Sequence, residues 1–327
     1  MPGGIVVVTG ASAGIGRATA VEFGRHGWRV ALLARGVDGL EGAKQQVEEA
    51  GGTAMVVPVD VADQEQVEAA AERVEREWGP IDVWVNNAMA TIFCAFVNIS
   101  PDDYRRSTEV TYLGTVWGTL AALRRMKPRD SGVIVQVGSA LAYRSIPLQA
   151  PYCGAKAAIR GFTDSLRSEL VHDKSKVHLT MVQLSAFNTP QFDWGRTCLP
   201  GKPKPLGKIF QPEVAAKGIY WVAMHRRREL WVGWPAAKAI LGTRVLPGFL
   251  DRLLAFQAYE GQQASETVSP DRQDNLYVPV PGNHGAHGRF DAQAIERSAQ
   301  VWVVTHPWPL AAGTMVCALL AGLLLAA

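Results

Sequence analysis

An α/β fold, a parallel sheet wound by helices on both faces, is what this sequence of 327 residues predicts, and three observations carry the prediction. Short apolar runs recur at residues 5–8, 54–58, 81–85, 132–137 and 177–184, as expected of strands buried on both faces. Charged stretches of helical period, such as 64–78 and 151–171, lie between them. A glycine-rich turn follows the first run at once, and ligands of such sheets bind outside the carboxyl ends of the strands.

Each element has a local reason. Ile5-Val6-Val7-Val8 is a β-branched run, and a helical pattern starts at Ile15 and reaches about His26. Between them, Gly10, Gly14 and Gly16, with Ser12 and Ile15, place backbone N–H groups and the positive end of a helix where a pyrophosphate fits. Arg29 to Ala34 reads as the second strand, with Arg35 just past its end. Ser139 falls just past the fifth strand, on the edge where ligands bind. Tyr152 and Lys156 then stand four apart, one turn from each other on one face of a helix. An ammonium placed there stabilises a tyrosinate and lowers the phenol's pKa, which makes Tyr152 a usable proton donor and acceptor. A hydride carrier beside a tuned acid means carbonyl–alcohol redox chemistry.

Thr9 to Gly16, Asp60-Val61, Asn86-Asn87-Ala88, Ser139, Tyr152-x-x-x-Lys156 and Thr189 together resemble the short-chain dehydrogenase/reductase superfamily over residues 3 to about 233. The resemblance implies a Rossmann-type sheet and a set of roles. Ser139 polarises the substrate carbonyl, Tyr152 passes the proton, and Lys156 holds the nicotinamide ribose. Asp60 and Val61 meet the adenine, Asn86 and Ala88 the cofactor's middle, and Thr189 the nicotinamide amide. Three positions depart from the family pattern. Met89 replaces a glycine and narrows the substrate pocket. Thr111 replaces the asparagine that holds a proton-relay water. Ser185-Ala186 replaces a Pro-Gly pair after the sixth strand.

The second strand argues for NADP over NAD. An acidic residue at its end would bind the ribose 2′-OH; here Ala34 and Arg35 stand there, and a guanidinium suits a 2′-phosphate. Ala13 offers no basic group to help, and Arg17 either compensates or points to water.

A hydrophobic content of 48%, a charged content of 19% and a net charge of +3 give a globular composition with no nucleic-acid footprint. Cys94, Cys153, Cys198 and Cys317 show no CxxC spacing, so neither a zinc site nor a redox pair is indicated, and a reducing compartment is expected. His284 and His287 read as loop residues without a metal. The organisation expected is a catalytic domain over 1–260, an irregular linker over 261–309, and a membrane-spanning anchor over 310–327.

That last segment holds 18 residues and none of Asp, Glu, Lys, Arg or His, and its flanking arginines place the catalytic domain on the cytoplasmic side. The greasy stretch 236–256 packs on the domain or a sister subunit, or meets a lipid surface. Phe162, Leu166 and Leu170 make a stripe that is either core or the interface of a homo-oligomer. Residues 190–210 lack periodicity and lie where a mobile flap would cover the substrate. Phe187, Phe192 and Trp194 line an apolar pocket with Met89 and Leu141, or simply anchor loops; the pocket reading implies a bulky apolar carbonyl or alcohol as substrate. The function expected is an NADP-dependent oxidoreductase at a membrane, and the rival reading is a non-catalytic NADP-binding scaffold or sensor.

Overall fold

The computed structural model describes residues 3–306. Its centre is a seven-stranded, all-parallel sheet. In chain order the strands are β1 (Ile5–Thr9), β2 (Arg29–Ala34), β3 (Thr53–Pro58), β4 (Val83–Asn86), β5 (Val133–Ser139), β6 (His178–Leu184) and β7 (Glu229–Val232). Their spatial order is β7-β6-β5-β4-β1-β2-β3, so the winding reverses between β1 and β4 and leaves a crevice at their carboxyl ends.

Both faces are covered, which explains the unbroken apolar runs. In β1, Val6 and Val8 join one core with the helices Gly14–Arg25, Val37–Glu49 and Pro212–Met224. Ile5 and Val7 point the other way, into a second core under Gln64–Trp78 and Gly114–Met126. Leu170 belongs to this core and Leu166, half-buried on the helix Ala150–His172, packs against it; Phe162, also half-buried, meets Tyr112 edge-on.

Several expectations for the outer parts need correction. Residues 261–288 are not wholly irregular: Gln263–Thr267 pairs antiparallel with Gly201–Pro203. The segment 190–210 is no free flap, because Cys94 and Cys198 form a disulfide that ties it to the chain beyond β4. The bridge joins two of the four cysteines without any CxxC spacing. Spacing hid it, since the two cysteines lie 104 residues apart and meet only because Ile92–Phe93 pairs with Arg196–Thr197.

In the chain-entropy account a loop of that size raises stability by about 4.7 kcal/mol, against a typical measured gain of about 2–4 kcal/mol. Cys198→Ser is therefore expected to lower the denaturant midpoint of the oxidised protein, and dithiothreitol to move the wild type down to the variant. Free-thiol titration showing four reactive sulfhydryls in the unreduced, unfolded chain would contradict the bridge.

The greasy stretch forms two helices, Trp234–Val245 and Pro247–Gly261, broken at Leu246 as the Pro-Gly pair requires. Ala236, Ala237, Ile240 and Ala258 are buried, but Leu241, Val245, Leu246, Phe249 and Phe256 are exposed. Among the described residues no helix is long and apolar enough to cross a membrane. The expected anchor, 310–327, lies outside the described residues.

Candidate active site

The crevice is built first by glycine. Gly10 and Gly14 adopt φ of +67° and +57°, a left-handed backbone that side chains disfavour. Gly16 has no room for a side chain: a Cβ there would lie 2.1 Å from the Gly10 carbonyl oxygen. The helix Gly14–Arg25 starts at Ala13 without a side-chain cap, unlike Gln64–Trp78, whose N–H groups are capped by Asp63. Uncapped donors at a helix N-terminus beside a glycine cradle suit a pyrophosphate.

Thr9 Oγ1 accepts from Asn87 N at 2.9 Å and Ala88 N at 3.0 Å, lacing the end of β1 to the chain after β4. One cleft results. Gly10, Ser12, Gly14, Ile15, Arg35, Asp60, Val61, Ala88, Met89, Thr189 and Trp194, all singled out from the sequence, line it.

The structure adds and removes residues. Asn86 does not face the cleft: it is buried in the core, accepting from Trp84 Nε1 at 2.8 Å and donating to Thr119 and Gln136 at 3.0 Å. Its neighbour Asn87 lines the cleft and donates to Thr9 O at 3.0 Å. The alternation of a strand's side chains decides between the two, and the doubled asparagine conceals it. Asp60 lines the cleft with its carboxylate already engaged, by Arg106 and by Ala62 N at 3.0 Å. Arg17 does not point to water; it is 2% exposed and donates to Gln46 and Asn283.

Phe187 and Phe192 are not pocket walls. Phe187 packs on Phe210, and Phe192 on Phe93 and Phe290, so both anchor loops. Leu141 lies half-buried in the turn after β5. Thr111 is fully buried on a π-turn, Glu109–Leu113; its hydroxyl accepts from Ala90 N at 2.9 Å and donates to Ala90 O at 3.0 Å. Its single proton is thus committed to the backbone, which removes it as the donor to a relay water.

Ser139, at the end of β5, accepts from Leu141 N at 3.1 Å. The helix Ala150–His172 brings Tyr152 to it, and the serine hydroxyl partly offsets a strong upward push on the phenol from burial; the balance leaves Tyr152 at about 12. Lys156 Nζ lies 5.6 Å from the centre of the Tyr152 ring and donates to Val137 O at 2.7 Å. Burial pulls this lysine down to about 8. The expected acidification of the phenol is therefore absent here: loss of water pushes the phenol up, only the Ser139 hydroxyl pulls it down, and Lys156, its own charge disfavoured by burial, does not contribute.

The family model for short chain dehydrogenase matches residues 4–194. The chain belongs to that family of oxidoreductases. Among its relatives, the Bacillus subtilis protein named "Uncharacterized oxidoreductase YxnA" is 30% identical over 97% of this chain and 89% of its own length. Human "Dehydrogenase/reductase SDR family member 7" is 41% identical over 51% of this chain and 50% of its own length. Zebrafish (Danio rerio) "3-dehydrosphinganine reductase" is 32% identical over 66% of this chain and 67% of its own length. Of solved structures, an alcohol dehydrogenase from Thermococcus sibiricus complexed with 5-hydroxy-NADP superposes with a TM-score of 0.60 at 27% identity, covering 70% of this chain and 95% of that one.

Proposed function

We propose that this protein moves a hydride between NADP(H) and the carbonyl or secondary alcohol carbon of an apolar, lipid-like molecule. The observation that carries the reading is the convergence of Ser139, Tyr152 and Lys156 at the carboxyl edge of the sheet, beside a cleft whose glycines leave space for a dinucleotide. Arg35 in the cleft wall, with no acidic residue at the end of β2, supports NADP over NAD, as do NADP-bound relatives such as the Thermococcus enzyme.

The bound dinucleotide supplies the hydride. Ser139, whose oxygen accepts from Leu141 N–H, has one hydrogen; it points to the Tyr152 oxygen in the free protein and is the donor that a substrate oxygen between the two would take over. Tyr152 is protonated at neutral pH and gives its proton to that oxygen as the carbon takes the hydride, which yields the alcohol. In the reverse direction the same phenolic oxygen receives the proton. Lys156, fixed on Val137 O, holds a positive charge below pH 8 beside the phenolate left behind.

The lipid-like substrate draws support from relatives named for a 3-dehydrosphinganine and for a 17-beta-hydroxysteroid, and from Met89 and Trp194 in the cleft. Membrane attachment through 310–327 belongs to the same proposal, supported by the exposed apolar side chains on Trp234–Val245 and Pro247–Gly261. The disulfide weighs against a cytoplasmic placement, since thiols are kept reduced there. The committed Thr111 hydroxyl favours the rival reading of a dinucleotide-binding sensor. Incubation with NADPH and a panel of long-chain 3-keto lipids, ketosteroids and short polar ketones decides between them. Cofactor oxidation confined to the apolar members is the expected result; tight NADPH binding without turnover on any member favours the sensor.

A further inference from the structure

The cleft has a roof that lies beyond the part of the chain matched by the family model, which ends at residue 194. Asn275, Pro279, Val280, Gly282 and His284 close over the glycine loop and the ends of β2 and β3. This segment is fastened to both lips of the crevice.

On the nicotinamide side, Asn275 N donates to Trp194 O at 3.0 Å, and Asp274 pairs with Arg196 at 3.0 Å. On the adenosine side, the Arg35 guanidinium donates to the carbonyls of Asn275, Leu276 (3.3 Å) and Tyr277 (2.8 Å), and Gly282 N donates to Asp38 at 3.0 Å. Arg17 donates to Asn283, and Gly14 N, at the helix start, to Gly285 O at 3.1 Å. Leu276 is fully buried and nails the near end into the core under the sheet. Between the fastenings runs Val278-Pro279-Val280-Pro281, stiffened by its prolines, with Val278 68% exposed on the outer side. Gly282 and Gly285 turn it back with φ of +103° and +74°.

We propose that residues 274–288 are a strap that completes the cofactor site, and that the dinucleotide enters and leaves only when the strap lifts. The strap's ties fall on the two places where the cofactor's anionic groups belong, the helix N-terminus and Arg35. Three carbonyls fix the guanidinium plane while a guanidinium's five N–H donors leave some over for phosphate oxygens, so the strap presets the fork that selects the 2′-phosphate. Gly285 O must yield the Gly14 N–H when a pyrophosphate arrives, which couples binding to movement of the strap's far end. The far end, from Val278 to Gly285, is held by isolated hydrogen bonds at Asp38, Arg17 and Gly14 with no side chain in the core, the kind of element that opens locally, while Leu276 and the Asp274–Arg196 pair keep the near end fixed.

The inference rests on the cofactor reading above, and the test separates the two. NADPH dissociation is measured by stopped flow, using energy transfer from the protein's tryptophans to bound NADPH, for the full chain, for Asn283→Ala and for Pro279→Gly/Pro281→Gly. Release is expected to quicken roughly tenfold in Asn283→Ala, the size of effect of one hydrogen bond to a charged group. Backbone amides of 275–285 are expected to exchange more slowly with NADP⁺ bound, by a larger factor than with NAD⁺. Unchanged release in both variants together with unchanged exchange would overturn the strap while leaving the cofactor in place. Absence of any NADPH binding by the wild type would overturn the cofactor reading instead.

Discussion

Tyr152→Phe is expected to bind NADPH as the wild type does and to lose roughly 10²- to 10⁴-fold in kcat, the usual worth of a positioned general acid. The separation follows from the geometry. The cleft wall is made by the glycine loop, the ends of β2 and β3, residues 87–89, 189–191 and 194, and the strap, so the phenolic oxygen is dispensable for holding the dinucleotide. It is indispensable for the proton. Ser139 is a poor substitute, since a serine hydroxyl gives up its proton far less readily than a phenol. Lys156, the other acid at hand, is turned to Val137 O. Little stability is at stake, because the Tyr152 ring remains in the variant and its buried hydroxyl has Ser139 as its one side-chain partner. Single-turnover kinetics with an apolar ketone measure the effect. Retention of more than a tenth of the wild-type rate would remove Tyr152 from the role of proton donor and with it the mechanism.

What the sequence disclosed and what it withheld divide along physical lines. Strands buried on both faces write themselves as continuous apolar runs, so β1 to β6 were all legible apart from a residue or two at their ends. Tyr152 and Lys156 were legible because helical spacing converts directly into distance. Long-range choices were not. Asn86 and Asn87 are chemically identical neighbours, and only the pleat of β4 decides which one reaches the cleft. Cys94 and Cys198 meet through strand pairing between short segments that no periodicity marks. Phe187 and Phe192 have the composition of a substrate pocket, yet neighbouring aromatic rings claim them. The strap is the largest omission. Its Pro- and Gly-rich composition reads as a linker, and its partners Arg17, Arg35 and Asp38 lie more than 230 residues earlier in the chain. Sequence reasoning assigned Arg35 to the cofactor but had no means to see that three carbonyls already orient it.

Lys156→Met should make the protein more stable at neutral pH and nearly inactive, the second large effect. The argument starts from burial: Lys156 is 3% exposed, and its pKa falls from the ordinary 10.5 to about 8. Between those values the unfolded chain binds the proton and the folded one does not, so stability rises with pH across this window, and the cost is fully present below pH 8. At 1.36 kcal/mol per pH unit the cost approaches about 3 kcal/mol. Methionine removes the charge and fills much of the same volume. Against this stands the loss of the 2.7 Å bond to Val137 O, which leaves a buried carbonyl unpaired at about 1–2 kcal/mol. The difference favours the variant by about 1–2 kcal/mol at pH 7, read as a higher denaturant midpoint with unchanged slope. The gap between variant and wild type should narrow as pH is raised from 8 to 10, because the wild type sheds its penalty and the variant has none to shed. Tyr152, pushed up to about 12, adds the opposite slope only above pH 10 and does so in both proteins. A variant less stable than wild type at pH 7, with a pH-independent gap, would mean that the folded protein carries the Lys156 charge without cost. In that case a positively charged lysine stands ready to acidify Tyr152 in the free protein, and the phenol's titration in the wild type should appear well below 10.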